Sequence, residues 1–450
     1  MKGKYYILTF GCQMNKNDSE RIAGLLSSLG LKEGQNPGQA EVLIINTCSV
    51  RQHAEDRVYG IIREWQKFRK NKPQLFIGVT GCMPGRDKNG KLQKKIKGVD
   101  WFFPISDLPL LPGKLNFGRD ALQCVSTHNN YLNIKPKNSE KFRAFVSIQT
   151  GCDNFFTYCI VPHSRGRERN RPLKEILLEI KKLARQGCKE VTLLGQVVNN
   201  YRLQATPARR RGGDYRLLHK CNPFKKKDDF AALLWEINQI KGIERINWTA
   251  ADPQYFNKYQ IQALTLPHQV NYLHLPVQSG DNGILKKMNR KYTREEYLAL
   301  VKKIKKARPG IALGTDIIVG FCGETKKQFK NTLDLYKKCA FDISYHAQYS
   351  ERPGTVAAKM FKDDVPRLEK KRRWQAVQAL MEKIVRRKNQ KYVGQTVSVL
   401  VDKCAGGYCY GNSNEMKLVR FLGVKKLLGQ IVNVKIQEAK EWILYGTKTA

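Results

Sequence analysis

Three short apolar runs in the front third of the chain, each followed almost at once by a cysteine, constrain its fold more than any other feature. Tyr5–Phe10, Val42–Asn46 and Leu75–Thr80 read as strands, and Cys12, Cys48 and Cys82 follow them in the segments FGCQMN, NTCSVR and TGCMPG. Between the first two runs, Ile22, Leu25, Leu26 and Leu29 recur at the i, i+3, i+4, i+7 spacing of a helix with one buried face, and Gly30 is placed to end it. A second helical stretch, residues 55–69, separates the next two runs. Strand–helix–strand alternation at about 30 residues per unit predicts a parallel α/β sheet. Groups that follow the strands of such a sheet gather beyond one edge, so the three thiols are expected to converge although they are distant in sequence.

Three convergent thiolates with no fourth partner suit a [4Fe–4S] cluster with one open iron better than structural zinc, which takes four ligands in close pairs. A buried cysteine packing as a small apolar side chain is the plain alternative for any one of them. Three in a row, each beside Gly or Thr, favour ligation. Twelve cysteines in 450 residues are too few for a disulfide scaffold, and the expected setting is a reducing cytoplasm. Lys+Arg 81 against Asp+Glu 39 gives a net charge of +42, which points to a polyanionic partner, nucleic acid above all. No run of about 18 apolar residues occurs, and the apolar stretch at the start is too short for a signal peptide, so no membrane partner is expected.

The middle of the chain repeats a strand–helix pattern. Strands are predicted near Phe145–Gln149, Val191–Leu194, Arg245–Trp248, Tyr272–Leu275, Leu313–Val319 and Asp342–Tyr349, with helices such as Lys174–Arg185 and Arg294–Ala307 between them. Six units predict a partial (β/α)6 barrel, with chemistry at the strand C-termini. Polar groups stand there at Gly195-Gln196, at His274 to Gly280 and at Gly320 to Thr325. Residues 112–141 read as a linker, and 202–229 as a solvated basic insertion with RNA contact as a second possibility. Leu368–Gln390 reads as one long basic helix, either phosphate-facing or simply solvated. Beyond it, short glycine-punctuated strands at Val397–Val401, Met416–Phe421, Ile431–Ile436 and Trp442–Tyr445 predict a small β-barrel of the oligonucleotide-binding type. Cys404 and Cys409 form a poor zinc motif and are assigned no ligand role.

The stretch Gly151 to Pro172, GCDNFFTYCIVPHSRGRERNRP, follows the first central strand. It is similar to the cluster loop of radical S-adenosylmethionine (AdoMet) enzymes, whose signature is C-x3-C-x2-C with an aromatic residue before the last cysteine. Cys152 and Cys159 hold the outer positions and Tyr158 the aromatic one, while Phe156 stands at the middle ligand position. Phenylalanine has no lone pair for iron. With GCQMN, NTCSVR and CIVPHSRGRERNRP, the chain resembles the methylthiotransferase family, and within it the MiaB-type tRNA enzymes, over nearly its whole length.

That resemblance implies an N-terminal cluster domain at 1–120, a radical-AdoMet partial barrel at 138–375 and a TRAM RNA-binding domain at 388–450. It also implies two [4Fe–4S] clusters, one on Cys12, Cys48 and Cys82 that handles sulfur and one at Cys152 and Cys159 that generates a radical. AdoMet would contact Tyr158, Gln196 and Glu324. The implied reaction installs a methylthio group on carbon 2 of N6-isopentenyladenosine, just 3′ of the anticodon, in a cytoplasmic, monomeric enzyme whose partner is the tRNA anticodon loop. The sulfur source and electron donor stay open. The family pattern is also departed from at Val197, at Ala250-Ala251-Asp252-Pro253 and at Cys322. Two alternatives stand beside this reading: a tRNA-binding protein without radical chemistry, because Phe156 replaces a cluster cysteine, and a methylthiotransferase of the threonylcarbamoyl-adenosine or ribosomal-protein branch.

Overall fold

The computed structural model describes residues 3–49, 52–115, 130–203 and 214–449, without the side chains of 52–54. They form two compact units. One comprises Met1–Ser139, Gln149–Arg169 and Arg352–Thr355; the other comprises Glu140–Ile148, Asn170–Glu351 and Val356–Ala450. The segment carrying Cys152 and Cys159 therefore groups with the front sheet, while the C-terminal barrel groups with the central strands.

In the first unit, β1 (Lys4–Thr9), β2 (Lys32–Glu33), β3 (Val42–Thr47), β4 (Phe76–Gly81) and β5 (Trp101–Phe102) form a five-stranded sheet in the order β2-β1-β3-β4-β5. Every pairing is parallel. Helix α1 (Gln13–Ser28) follows β1, α2 (Gln52–Lys67) follows β3, and α3 (Cys82–Arg86) begins where β4 ends. All six residues of β3 are buried, as a central parallel strand covered on both faces requires. Ile44 joins one core with Tyr5, Ile22, Leu26 and Phe103, while Leu43 and Ile45 join another with Val58, Ile62 and Trp65.

The expected linker is corrected in its later part. Tyr131, Leu132 and Ile134 are buried in the first of these cores. The Arg21 guanidinium donates to the carbonyls of Leu132 at 2.7 Å and Ile134 at 2.5 Å, which fixes a polar-looking segment that has little regular structure. Residues 116–129 of that stretch lie outside the described residues. The loop after the first central strand is closed at its base by β7 (Gln149–Thr150) and β8 (Arg169–Asn170).

The second unit contains the six expected parallel strands: β6 (Arg143–Ser147), β9 (Glu190–Leu194), β10 (Arg245–Trp248), β11 (Tyr272–His274), β12 (Ala312–Val319) and β13 (Ile343–Gln348). They run as β10-β9-β6 and β11-β12-β13, linked by a bridge between Ile246 and Gln269. Helices Arg294–Ala307 and Lys326–Cys339 each start on a capping box, Thr293 with Glu296 and Thr325 with Gln328. The basic insertion is only partly as expected. Residues 204–213 lie outside the described set, but Leu218 and Phe224 are buried in the core and Asp214 accepts from the Leu173 amide at 3.1 Å.

Helix Arg367–Gln390 buries Val377, Met381, Ile384 and Val385 in the same core. Two of its basic side chains are committed inside the fold, Lys370 to Asp363 at 2.5 Å and Arg373 to Glu324 at 2.6 Å.

The barrel closes in the order β14-β15-β16-β18-β17. Its strands are β14 (Thr396–Ala405), β15 (Tyr408–Ser413), β16 (Leu418–Leu422), β17 (Ile431–Ala439) and β18 (Leu444–Lys448). Strand β15 is absent from the sequence reading because its inward residues are Cys409, Gly411 and Ser413 rather than large apolar groups. Cys404 and Cys409 face each other in the β14–β15 ladder and are joined by a disulfide, a correction to the expectation of reduced cysteines. Arg245 ties the barrel to the central strands by donating to the carbonyls of Asn412 at 2.7 Å and Ser398 at 2.8 Å. Lys417 and Lys388 both pair with buried Asp342. Burial alone would raise that carboxyl; the two lysines hold it below its ordinary value.

Candidate metal centre at the sheet edge

The three front cysteines emerge from neighbouring strands of one parallel sheet, and two glycines let the strand ends close up. Gly11 has φ +137, and a Cβ there would stand 2.9 Å from the Cys48 Cβ and 2.4 Å from Asn15 Oδ1. Gly81 has φ +100, and a Cβ would fall 2.3 Å from the Thr47 carbonyl. Each precedes a cysteine, so the Gly-Cys pairs seen in the sequence are packing devices. Buried amides complete the frame: Asn15 donates to Asn46 Oδ1 at 3.1 Å, and Asn46 donates back to the Asn15 carbonyl at 2.8 Å.

Cys12 is the N-cap of α1, with both its amide and its sulfur 3.4 Å from Asn15 Oδ1. The surrounding protein raises its thiol pKa; Arg165 opposes that shift and Cys82 adds to it. Burial by its neighbours is the main cause of the upward shift, although the side chain itself reaches solvent. Cys82 opens α3, and Cys48 follows β3 directly.

Two arginines, Arg165 and Arg352, act electrostatically on these thiols. Arg165, on the helix Val161–Arg165, is brought in because Gly85 of α3 lies so close to Ser164 that a Cβ would sit 2.0 Å from its carbonyl oxygen. Its guanidinium pairs with Asp18 at 2.7 Å, with both side chains at most 2% exposed. Burial is the largest single effect and works against its charge, but Asp18, Cys82, Tyr131 and Cys12 together outweigh it, so its pKa stands well above the ordinary value. Arg352 is electrostatically coupled to Cys48, and Arg86 pairs with Glu55 at 2.8 Å beside Ser49. None of these arginines was singled out in the sequence; the only signal for Arg165 was its place in the basic run SRGRER.

As placed, no three His, Cys, Asp or Glu side chains among the described residues form a ready ion site. The donor set nevertheless fits an anionic cluster. Arg165 Nη1 is buried with no hydrogen-bond partner among the described residues, and the thiols it faces become anionic on binding iron.

The loop of Cys152 gives the opposite result. Cys152 is buried, its amide bonds the Gly166 carbonyl at 3.1 Å, and the Asn154 amide approaches its sulfur at 3.5 Å. The Cys159 amide donates to the Phe156 carbonyl at 2.9 Å. Phe156 is 9% exposed and stacks on Tyr158, with centroids 6.2 Å apart and planes 11° apart. Two thiols and a packed ring do not fit a cluster that takes three thiolates from the chain.

The other expected contacts lie in the second unit. Gln196 is half-buried just beyond β9. Glu324 is 3% exposed and accepts from the Gly320 amide at 2.7 Å and from Arg373; burial raises its carboxyl against both partners. It thereby shapes the turn after β12. Val197 is buried, and its neighbour Asn199 accepts from the Asp252 amide at 2.8 Å while Asp252 pairs with Arg290 at 2.9 Å. These bonds pin the loops after β9 and β10. Cys322 is 2% exposed, and burial raises its thiol pKa.

Comparison with known proteins agrees with this layout. Residues 4–104 match an uncharacterized protein family, UPF0004; residues 146–336 match the radical SAM superfamily; residues 390–449 match the TRAM domain. Among solved structures, the radical S-adenosylmethionine methyltransferase TsrM from Kitasatospora setae aligns with a TM-score of 0.52 over 80% of this chain and 77% of that one, at 12% identity, which is a likeness of fold. A tRNA-2-methylthio-N(6)-dimethylallyladenosine synthase of Anoxybacillus flavithermus is 42% identical over 98% of this chain and 82% of its own length. Those of Thermoanaerobacter sp. (strain X514) and Bacillus subtilis (strain 168) are each 40% identical, over 99% and 98% of this chain and 93% and 85% of their own lengths. The order of domains, the fold and this near-complete alignment show that the chain belongs to the family of tRNA-2-methylthio-N(6)-dimethylallyladenosine synthases.

Proposed function

We propose that the protein is a tRNA methylthiotransferase that installs a 2-methylthio group on N6-isopentenyladenosine 3′ of the anticodon. The observation that carries this reading is the alignment of almost the whole chain with relatives of that name, together with the three cysteines on neighbouring strand ends. Cys12, Cys48 and Cys82 would hold an iron–sulfur cluster, which when bound supplies a site for carrying sulfur. The fold's own contribution is to fix the strand ends through Gly11, Gly81 and the Asn15–Asn46 amides, and to set Arg165 against the thiolates. In the second unit Gln196 is available to AdoMet beyond β9, while Glu324 and Arg373 keep the turn after β12 in shape. A setting in the cytoplasm and a monomeric state belong to the same proposal.

No radical step is derived through the loop of Cys152 and Cys159, because Phe156 offers iron no donor. A tRNA-binding protein with one cluster is the second reading, and Phe156 is the observation that favours it. Nucleoside mass analysis of isopentenylated tRNA, incubated anaerobically with iron-loaded protein, AdoMet, reductant and sulfide, tests the proposal. Methylthiolated product from the natural chain supports the proposal, and product from Phe156→Cys alone favours the second reading. No product from either the variant or the natural chain overturns the proposal.

A further inference from the structure

The outer face of the C-terminal barrel carries a cluster that its core does not need. Inward positions on β15, β16 and β18 are filled by Cys409, Val419, Phe421 and Leu444, all buried. Outward, Lys403, Tyr410, Arg420 and Tyr445 are successive cross-strand neighbours on β14, β15, β16 and β18. Arg420 is the hub, with its guanidinium carbon 3.7 Å from the Tyr408 ring centroid and 5.9 Å from those of both Tyr410 and Tyr445. Its Nε is buried without a hydrogen-bond partner among the described residues. Lys403 lies 6.0 Å from the Tyr410 ring and Lys440 5.3 Å from that of Tyr445. Glu438 is the acidic neighbour, beside Tyr445 in the ladder and 3.4 Å from Lys440. Leu422, opposite Tyr408, is 63% exposed.

Three aromatic rings held around one cation, flanked by lysines, make a surface with flat apolar faces and positive charge together. Unpaired nucleobases stack on such rings, and arginine and lysine take the phosphates that link them. A chain of net charge +42 favours a polyanion over an apolar protein partner. We propose that Tyr408, Tyr410, Arg420 and Tyr445 form a stacking platform for unpaired bases of an RNA strand, with Lys403 and Lys440 on its backbone. The proposal rests on the reading of the protein as acting on tRNA and names a surface for that substrate. The Cys404–Cys409 disulfide joins β14 to β15 at the residue between Tyr408 and Tyr410.

The test is fluorescence anisotropy with the full chain, a labelled anticodon stem-loop RNA and a fully paired RNA duplex, over a range of salt. Tyr408→Ala with Tyr410→Ala is expected to weaken stem-loop binding about tenfold or more, with the salt slope and duplex binding unchanged. The corresponding double Phe variant keeps wild-type affinity, because stacking survives. Lys403→Gln with Lys440→Gln is expected to flatten the salt slope by about one unit or more. Unchanged melting temperature verifies that the outward substitutions leave the barrel folded. Stem-loop affinity equal to wild type in the double Ala variant, or an equal loss on the duplex, overturns the platform. Failure of the wild-type chain to bind the stem-loop at all would instead overturn the tRNA reading.

Discussion

Cys12, Cys48 and Cys82 reach one edge from three separate strands, whereas Cys152 and Cys159 share a single short loop. In the first case each cysteine is placed by its own backbone device: the Gly11 turn and the cap of α1, the end of fully buried β3, and the Gly81 turn into α3. In the second, the loop is shaped by main-chain bonds, Cys152 to Gly166 and Cys159 to Phe156, which do not depend on the side chain at 156. The backbone there can therefore keep its course whatever side chain stands at 156. The sheet edge offers three thiols, and the loop offers two and a packed ring.

The sharpest way to break this comparison is to count iron. After anaerobic reconstitution the natural chain is expected to hold about four irons, Phe156→Cys about eight, and Cys48→Ser almost none. Eight irons in the natural chain would make the two regions equivalent. Next in size is the buried pair that joins the regions. Asp18→Ala leaves Arg165 buried and unpaired, and is expected to cost about 3–5 kcal/mol in urea unfolding, whereas Asp18→Leu with Arg165→Met should cost far less. Similar losses in both would mean the pair acts through packing.

Gly81→Ala is expected to cost about 1–3 kcal/mol and lower front-site iron, since φ +100 is strained for any side chain and the Thr47 carbonyl stands in the way. Gly90→Ala, at φ +67 with nothing within 4 Å, should cost about 1 kcal/mol and leave iron intact. The smallest effect concerns Cys12 in the iron-free protein. Burial raises its thiol pKa and Arg165 counters it, so Asp18→Leu with Arg165→Met should slow its alkylation at neutral pH a few-fold, with the rate recovering as pH rises. Faster alkylation would show that Arg165 shields the sulfur instead.

What could be read from the sequence was what repeats locally. The leucines and isoleucines of α1, the strand runs and the cysteine after each run carry a period or a fixed offset, and the six central strands and the helix Arg294–Ala307 appear where patterning put them. Residues 130–139 looked like linker because NYLNIKPKNS is polar and irregular, yet Arg21 supplies the bonds that hold it, and no local pattern announces a partner so distant. Strand β15 was hidden for a different reason, since small inward residues leave no apolar alternation. At the candidate centre, thiols were visible by type and offset. Arg165, Arg352 and Arg86 were not, because their role depends on what they face after folding and the chain has many other arginines.

The packing of Gln149–Arg169 with the front sheet has a practical corollary for anyone who would split this protein. A cut near residue 140 follows the linear order of the chain but separates Asp18 from Arg165 and Gly85 from Ser164. The amino-terminal fragment would be left with an uncompensated buried carboxylate, and the carboxyl-terminal fragment with a stretch deprived of the surface it rests on. An autonomous front piece has to carry that stretch with it, grafted or circularly permuted onto its end.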